Sequence, residues 1–312
     1  MVLQGPLRGI AMKLASVVVF MTMATLIKLV ADRVPAGEVV FFRSAFAMPV
    51  ILVWLAATRS LGAGLRTASY IGHLWRGLAG TTAMVFSFAG YGLLPLPEVT
   101  AIGYAAPLLT VVFAAMFLGE EVRAFRILTV ALGLVGVLVI LSPRLGAMET
   151  GGAVGGLGAR EALGAVVVLT GAVFAALAQV FIRKLVATET TSAIVFYFSM
   201  NAAILSLVTL PFGWVRPDAG TAAILVACGL LGGVGQVLLT SAYRFADASV
   251  VAPFDYASMI LALAIGYVGF DEVPTPAVIG GAALVILAGI LIIRRERQLG
   301  FERARQRRSM TP

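Results

Sequence analysis

Long apolar runs separated by short polar breaks recur about ten times along this chain. The runs at 12–30, 39–55, 101–118, 125–141, 165–182, 194–210, 221–241, 250–270 and 277–293 are each about long enough to cross a ~30 Å hydrocarbon core at 1.5 Å per residue. A further span opens at Arg76-Gly77. None of them alternates apolar and polar positions, so the pattern predicts membrane-crossing helices and not a barrel. The breaks are a turn at 32–36, a basic loop at 59–70, a proline-rich hairpin at 94–98, and connections at 119–123, 188–191, 214–220, 244–247 and 271–275. Connections this short make consecutive helices antiparallel neighbours. The longest break, 144–160, contains Gly151-Gly152 and Gly155-Gly156 and reads as a flexible linker.

The runs on either side of that linker repeat each other. Lys28-Leu29-Val30-Ala31 matches Lys184-Leu185-Val186-Ala187, and Gly119-Glu120-Glu121-Val122 matches Phe270-Asp271-Glu272-Val273 at nearly the same separation. Five spans per half is an odd number, which places the halves upside down relative to each other in a bilayer. Inverted repeats of this kind recur in secondary transporters, which rock one repeat against the other around a central site. The expected fold is therefore all-α and integral to the membrane, with ten transmembrane helices in two inverted five-helix repeats. Its division is a first repeat at 1–143, a glycine-rich linker at 144–160, a second repeat at 161–293 and a basic tail at 294–312.

Composition agrees: 60% of the residues are hydrophobic, 12% are charged, and mean hydropathy is +1.01. The net charge of +8 changes the picture through its distribution. One side of the membrane collects Arg8, Lys13, Arg59, Arg66, Arg76, Arg123, Arg126, Arg183, Lys184, Arg244 and the tail arginines 294, 295, 297, 303, 305, 307 and 308. The other collects only Lys28, Arg33, Arg144, Arg160 and Arg216. By the positive-inside rule both termini are cytoplasmic, so the charge calls for no nucleic-acid partner. The basic tail can touch anionic lipid headgroups, though a stop signal and solubilising tail is its plainer role. The first span has a basic start but no small-residue cleavage site, and reads as retained. The one cysteine, Cys228, lies inside a span, which leaves no disulfide framework or cysteine metal site.

Glycines inside the spans are Gly77 and Gly80, Gly133 and Gly136, Gly229, Gly232, Gly233 and Gly235, and Gly280 and Gly281. Small residues let membrane helices approach closely. The 229–235 cluster either packs the eighth span or lets it flex, and the 133/136 and 280/281 faces either pack within one chain or join two copies as a homodimer.

Several segments carry a family resemblance. Gly37-Glu38-Val39-Val40-Phe41-Phe42-Arg43-Ser44, Arg76-Gly77, Leu94-Pro95-Leu96-Pro97-Glu98-Val99-Thr100-Ala101, and Pro107 through Gly119-Glu120-Glu121 resemble the first EamA repeat of the drug/metabolite transporter superfamily. Ala242-Tyr243-Arg244-Phe245-Ala246-Asp247-Ala248-Ser249-Val250-Val251-Ala252-Pro253-Phe254-Asp255-Tyr256 resembles the second. The resemblance covers nearly the whole chain. It implies two inverted EamA repeats around a central cavity, nearest to the branch with bacterial S-adenosylmethionine uptake carriers and, more loosely, riboflavin and amino-acid carriers. It names a scaffold more than a cargo.

Charged groups inside apolar spans mark the candidate site, because a charge near the bilayer centre costs at least ~2.5–3.5 kcal/mol. Arg43 lies several residues inside the second span, where its planar fork suits a carboxylate or phosphate; a fixed bridge to Glu38, Asp255 or a helix end is the structural alternative. Asp255 follows Pro253 about two turns into the ninth span. It is a candidate to pair with an amine on the cargo or to take up a proton, or else to partner Arg43 or Lys28. Aligning the halves sets Tyr104 opposite Asp255 across the pseudo-twofold axis. Tyr91, Tyr243, Tyr256, Gln236, Phe86 and, less so, Trp75 are candidate cavity walls, with Trp75 favoured as an interfacial anchor. Glu98 reads as a helix cap, and Lys28 and Lys184 as snorkelling helix ends. An enzyme acting on a lipid or small molecule is the reading from another class. The lone His73 reads as a headgroup contact, and no catalytic, cofactor or metal-ligand motif is present. The expected function is a secondary carrier in a bacterial inner membrane that moves a small polar or zwitterionic metabolite by alternating access, without ATP and with no cofactor. A riboflavin, vitamin or drug carrier is the alternative within that class.

Overall fold

In a computed structural model of the chain, residues 5–118, 124–149, 157–246 and 248–309 are described. The Gly119-Glu120-Glu121-Val122 quartet, the linker glycines 151–156 and Asp247 lie outside them. The helices are α1 (Gly5–Val30), α2 (Ala36–Ala57), the single turn α3 (Leu61–Gly64), α4 (Tyr70–Tyr91), α5 (Leu96–Gly103), α6 (Ala105–Leu118), α7 (Ala124–Glu149), α8 (Leu157–Leu185), α9 (Thr191–Ser206), α10 (Ala219–Phe245), α11 (Ala248–Val251), α12 (Ala257–Phe270) and α13 (Pro276–Ser309). Among the described residues eight helices are long and apolar enough to cross a membrane. Ile127–Pro143 within α7 is a shorter apolar stretch, and α4, diluted by His73 and Arg76, completes ten spans. Residues 144–149 continue α7 and 157–160 open α8, so helix occupies part of the expected linker.

Two spans are broken, and at corresponding places in the two halves. The fourth consists of α5 and α6, with Tyr104 between them. The ninth consists of α11, a 3₁₀ turn at Ala252–Tyr256, and α12. The cause is written in the chain: Pro107 and Pro253 have no N–H to give the carbonyl four residues back. At the break in the fourth span the Tyr104 amide donates at 3.3 Å to the Ala101 carbonyl, three residues back, a 3₁₀-type closure of α5.

Helix packing follows the exchange of halves. The most extensive contacts include α1 on α10, the first span on the eighth, and its counterpart α4 on α8, the third on the sixth. The α2–α10 and α4–α9 contacts form a second such pair, whereas α7–α13, α2–α9 and α5–α12 each join equivalent spans. Every one of these pairs crosses between halves, so the repeats interlock around one shared core. Its largest cluster draws Ile102 and Leu108 from the first half and Met259 and Val285 from the second. Glycines set the closest approaches. A Cβ on Gly136 would lie 2.7 Å from the Gly281 carbonyl oxygen, so that small-residue seam is filled within the chain.

Candidate functional site

The break in the ninth span presents Asp255. Its carboxylate Oδ1 lies 2.6 Å from Lys13 Nζ, and the two side chains differ sharply in exposure, 3% for Lys13 and 49% for Asp255. The ammonium is thus sealed between α1 and the second half, while the carboxylate looks into open space. That space is a cavity of about 340 Å³, lined by Tyr104, Pro107 and Val111 from one half and by Asp255, Tyr256 and Gly289 from the other. Tyr104 closes on the Asp255 turn: its hydroxyl is 2.6 Å from Ser258 Oγ and donates to the Asp255 carbonyl at 3.4 Å. Ser258 Oγ donates to the same carbonyl at 2.7 Å. The Tyr104 and Tyr256 rings meet edge-on with centroids 5.2 Å apart. Lys13 Nζ also lies 5.6 Å from the centroid of the half-exposed Tyr243 ring.

Tyr104, Tyr256, Asp255 and Tyr243 are therefore brought together, and Arg43 is not among them. On α2, Arg43 reaches toward the Phe198 ring of α9, beside Arg76 of α4. Glu38 does not pair with Arg43; its Oε2 accepts from the Val215 amide at 3.0 Å. Gln236 is half-buried on α10, Phe86 stacks on Phe174 with centroids 6.3 Å apart, and Tyr91 packs near Phe88 at 6.4 Å; none of the three lines the Asp255 cavity. Trp75 is exposed, as an interfacial anchor would be.

Three charged groups have different partners from those expected of them. Lys28 turns inward: it is 2.7 Å from Glu272 Oε1 and donates to the Tyr91 and Leu94 carbonyls at 3.3 and 2.9 Å. Glu272 Oε2 also accepts from the Leu96 amide at 2.8 Å. His73 is buried, stacked on Tyr197, with Nε2 3.6 Å from Glu189 Oε1. Asp255 is partnered by Lys13, a residue the charge pattern assigns to the basic flank of the first span. In the sequence Lys13 stands at the edge of the first apolar run, and it is the start of α1 at Gly5 that puts it eight residues inside the helix. A second cavity, of about 460 Å³, opens where α1 ends and α2 begins, lined by Arg33, Val39, Phe88 and Arg160 among others.

The chain matches the model of the EamA-like transporter family twice, over residues 7–142 and 162–294. A pseudopaline exporter of Pseudomonas aeruginosa is 30% identical over 290 residues, covering 92% of this chain and 96% of the exporter. An S-adenosylmethionine uptake transporter of Rickettsia prowazekii is 26% identical over 292 residues, covering 94% of each. A crystal structure of another protein shares the fold with a TM-score of 0.62 at 20% identity, covering 91% of this chain and 96% of that one.

Proposed function

Because this chain belongs to the EamA-like transporter family, we propose that it is a bacterial secondary carrier for a small polar or zwitterionic metabolite, working by alternating access across the inner membrane with both termini cytoplasmic. The observation that carries this reading is the Lys13–Asp255 pair at a cavity shared by two broken spans from opposite halves. A cargo amine has the chemistry of the Lys13 ammonium, and a proton neutralises the same carboxylate. Either one takes the place of Lys13 at Asp255 and removes the ionic contact between α1 and the start of the ninth span, so that occupancy of the cavity is felt where the halves meet. Arg43 is assigned to the acidic end of the cargo. The relatives support a carrier of small metabolites, and since one is named an exporter and the other an uptake transporter, membership alone fixes no direction.

The test is uptake of labelled solutes by proteoliposomes, taken from a panel of amino acids, S-adenosylmethionine, flavins and nucleosides. Asp255→Asn keeps the shape of the side chain and removes its charge, and is expected to cut transport at least ~10-fold while leaving folded protein in the membrane. Normal transport by Asp255→Asn rejects the site, and chemical alteration of the solute in place of its movement rejects the carrier. An imposed pH gradient separates the two ligands of Asp255: acceleration marks proton coupling, and indifference marks facilitated diffusion.

A further inference from the structure

Arg43 and Arg76 are 5% and 9% exposed. They sit on adjacent helices and enter from opposite ends, Arg43 seven residues into α2 and Arg76 six residues into α4. Each is therefore about 10 Å from its own end of the bundle at 1.5 Å per residue. Both guanidiniums converge on Phe198: Arg76 Cζ is 3.7 Å and Arg43 Cζ 5.9 Å from the ring centroid. Arg43 Nε and Arg76 Nε and Nη1 are buried without a hydrogen-bond partner, as are the hydroxyls of Ser44 on α2 and Thr81 on α4.

Among the described residues no carboxylate pairs with either arginine, and Glu38 at the start of α2 and Glu189 beside the starts of α4 and α9 are both engaged elsewhere. Glu38 accepts from the Val215 amide, and Glu189 from Thr67, Ala68 and Ser69. Glycine makes the room the arginines occupy. A Cβ on Gly80 would collide with Arg76 Nη1, and one on Gly232 would lie 3.1 Å from Arg43 Nε. One aromatic ring shared by two like charges recovers only a small part of the cost of taking both out of water. Two desolvated cations side by side therefore weaken the fold unless the job is to receive an anion. A guanidinium stacked on a ring still offers its N–H edge, and that edge matches the oxygen spacing of a carboxylate or phosphate.

We propose that Arg43 and Arg76 form an oxyanion-binding site at the junction of α2, α4 and α9, and that the cargo is an acid whose carboxylate or phosphate is held there. The proposal rests on the carrier reading and narrows its substrate class, with Arg76 as the second binding residue.

The test is thermal unfolding of purified full-length protein at fixed ionic strength with citrate, inorganic phosphate, chloride or choline as probe. Citrate or phosphate is expected to raise Tm where chloride and choline do not. A response to citrate alone assigns carboxylate chemistry, and to phosphate alone phosphate chemistry. Arg43→Gln and Arg76→Gln are each expected to abolish the response and, having removed an uncompensated buried charge, to raise the probe-free Tm by about 2–4 °C. Arg76→Lys keeps the charge but not the fork, and is expected to respond only at ~10-fold higher probe concentration. A lower Tm in both glutamine variants with the citrate or phosphate response intact identifies structural arginines and overturns the site. So does an equal response to chloride, or no response in the unmodified protein. If proteoliposomes still transport a solute in that event, the carrier reading stands without the oxyanion site; if they transport nothing in the panel, it is the carrier reading that fails.

Discussion

At the scale of single residues, the cavity depends on what is missing at position 289. A Cβ there would overlap the Tyr256 hydroxyl and lie 2.5 Å from its Cζ, so Gly289→Ala must displace the end of the Tyr256 ring within the cavity that both residues line. Overpacking of this kind costs about 1–3 kcal/mol. The expected outcome is a lower Tm together with impaired transport, and Gly289→Ala combined with Tyr256→Phe, which removes the clashing oxygen, recovers part of both. Thermal unfolding and proteoliposome uptake of the single and double variants check this; equal defects in the two would show that the hydroxyl is not the obstacle. Asp255 was legible in the sequence because a carboxylate just after a proline, deep in an apolar run, is costly to place in hydrocarbon and so points to a polar interior. Its partner was not. Lys13 stands five residues after Arg8, where a second basic residue looks like a helix flank, yet its side chain is as dry as the core. Arg76 was hidden in the same way, as the polar opening of a span. The depth of a charge is set by where the helix starts relative to its neighbours, and hydropathy alone does not record that.

At the scale of elements, the loop between α8 and α9 holds the start of α4 through one carboxylate. Glu189 Oε1 accepts from Thr67 Oγ1 at 2.7 Å and from the Ala68 and Ser69 amides at 2.7 and 2.9 Å. Burial pushes this carboxyl up, but the hydrogen bonds from Thr67, Ala68 and Ser69, with His73 adding to them, outweigh it and hold it below the ordinary 4.5. A depressed carboxyl contributes stability that is fully present above about 4.5 and is lost as pH falls through its lower folded value. Glu189→Gln is expected to cost about 1–3 kcal/mol at pH 7. The Tm difference from the unmodified protein is expected to shrink as the buffer falls below pH 4.5; a difference that does not change with pH would assign the loss to packing. The sequence could not supply this contact, since Glu189 and Ser69 are 120 residues apart, and the same distance hid the burial of His73. The glycine-rich eighth span was legible as a special element with two readings, and its packing bears on the choice. A Cβ on Gly229 would meet Phe46, one on Gly233 Val50 at 2.7 Å, and one on Gly235 Phe20 at 2.8 Å. These glycines seat α10 against α2 and α1, so close packing accounts for them without a flexing helix.

At the scale of the whole molecule, the inverted repeat was the most legible feature, because equivalent positions keep equivalent residues. What a repeat does not dictate is that equivalent residues share an environment. Lys28 and Lys184 head the same tetrapeptide, yet Lys28 is drawn inward onto Glu272, whereas Lys184 is exposed. Two halves of related sequence in unlike surroundings are what a carrier requires when one side of its site is closed at a time. The Lys28–Glu272 pair joins α1 of the first half to the end of the ninth span, and the same glutamate ties down the Leu96 amide that opens the fourth. One side chain therefore fastens three spans at one end of the bundle, while the Lys13–Asp255 contact joins two of the same spans, α1 and the ninth, toward the other end. With side chains only 12% and 15% exposed, removing the charge of Glu272 leaves Lys28 largely desolvated, and Glu272→Gln is expected to cost about 2–4 kcal/mol. If the pair is a latch between halves, pairing Glu272→Gln with Lys28→Met restores most of the lost Tm by removing the stranded cation, but does not restore transport, because the fastening itself is gone. Thermal unfolding and uptake on the single and double variants separate the two effects. Full recovery of transport in the double variant would reduce the pair to charge balance, and an unchanged Tm in Glu272→Gln would show that the backbone bonds of Lys28 already suffice to hold the halves together.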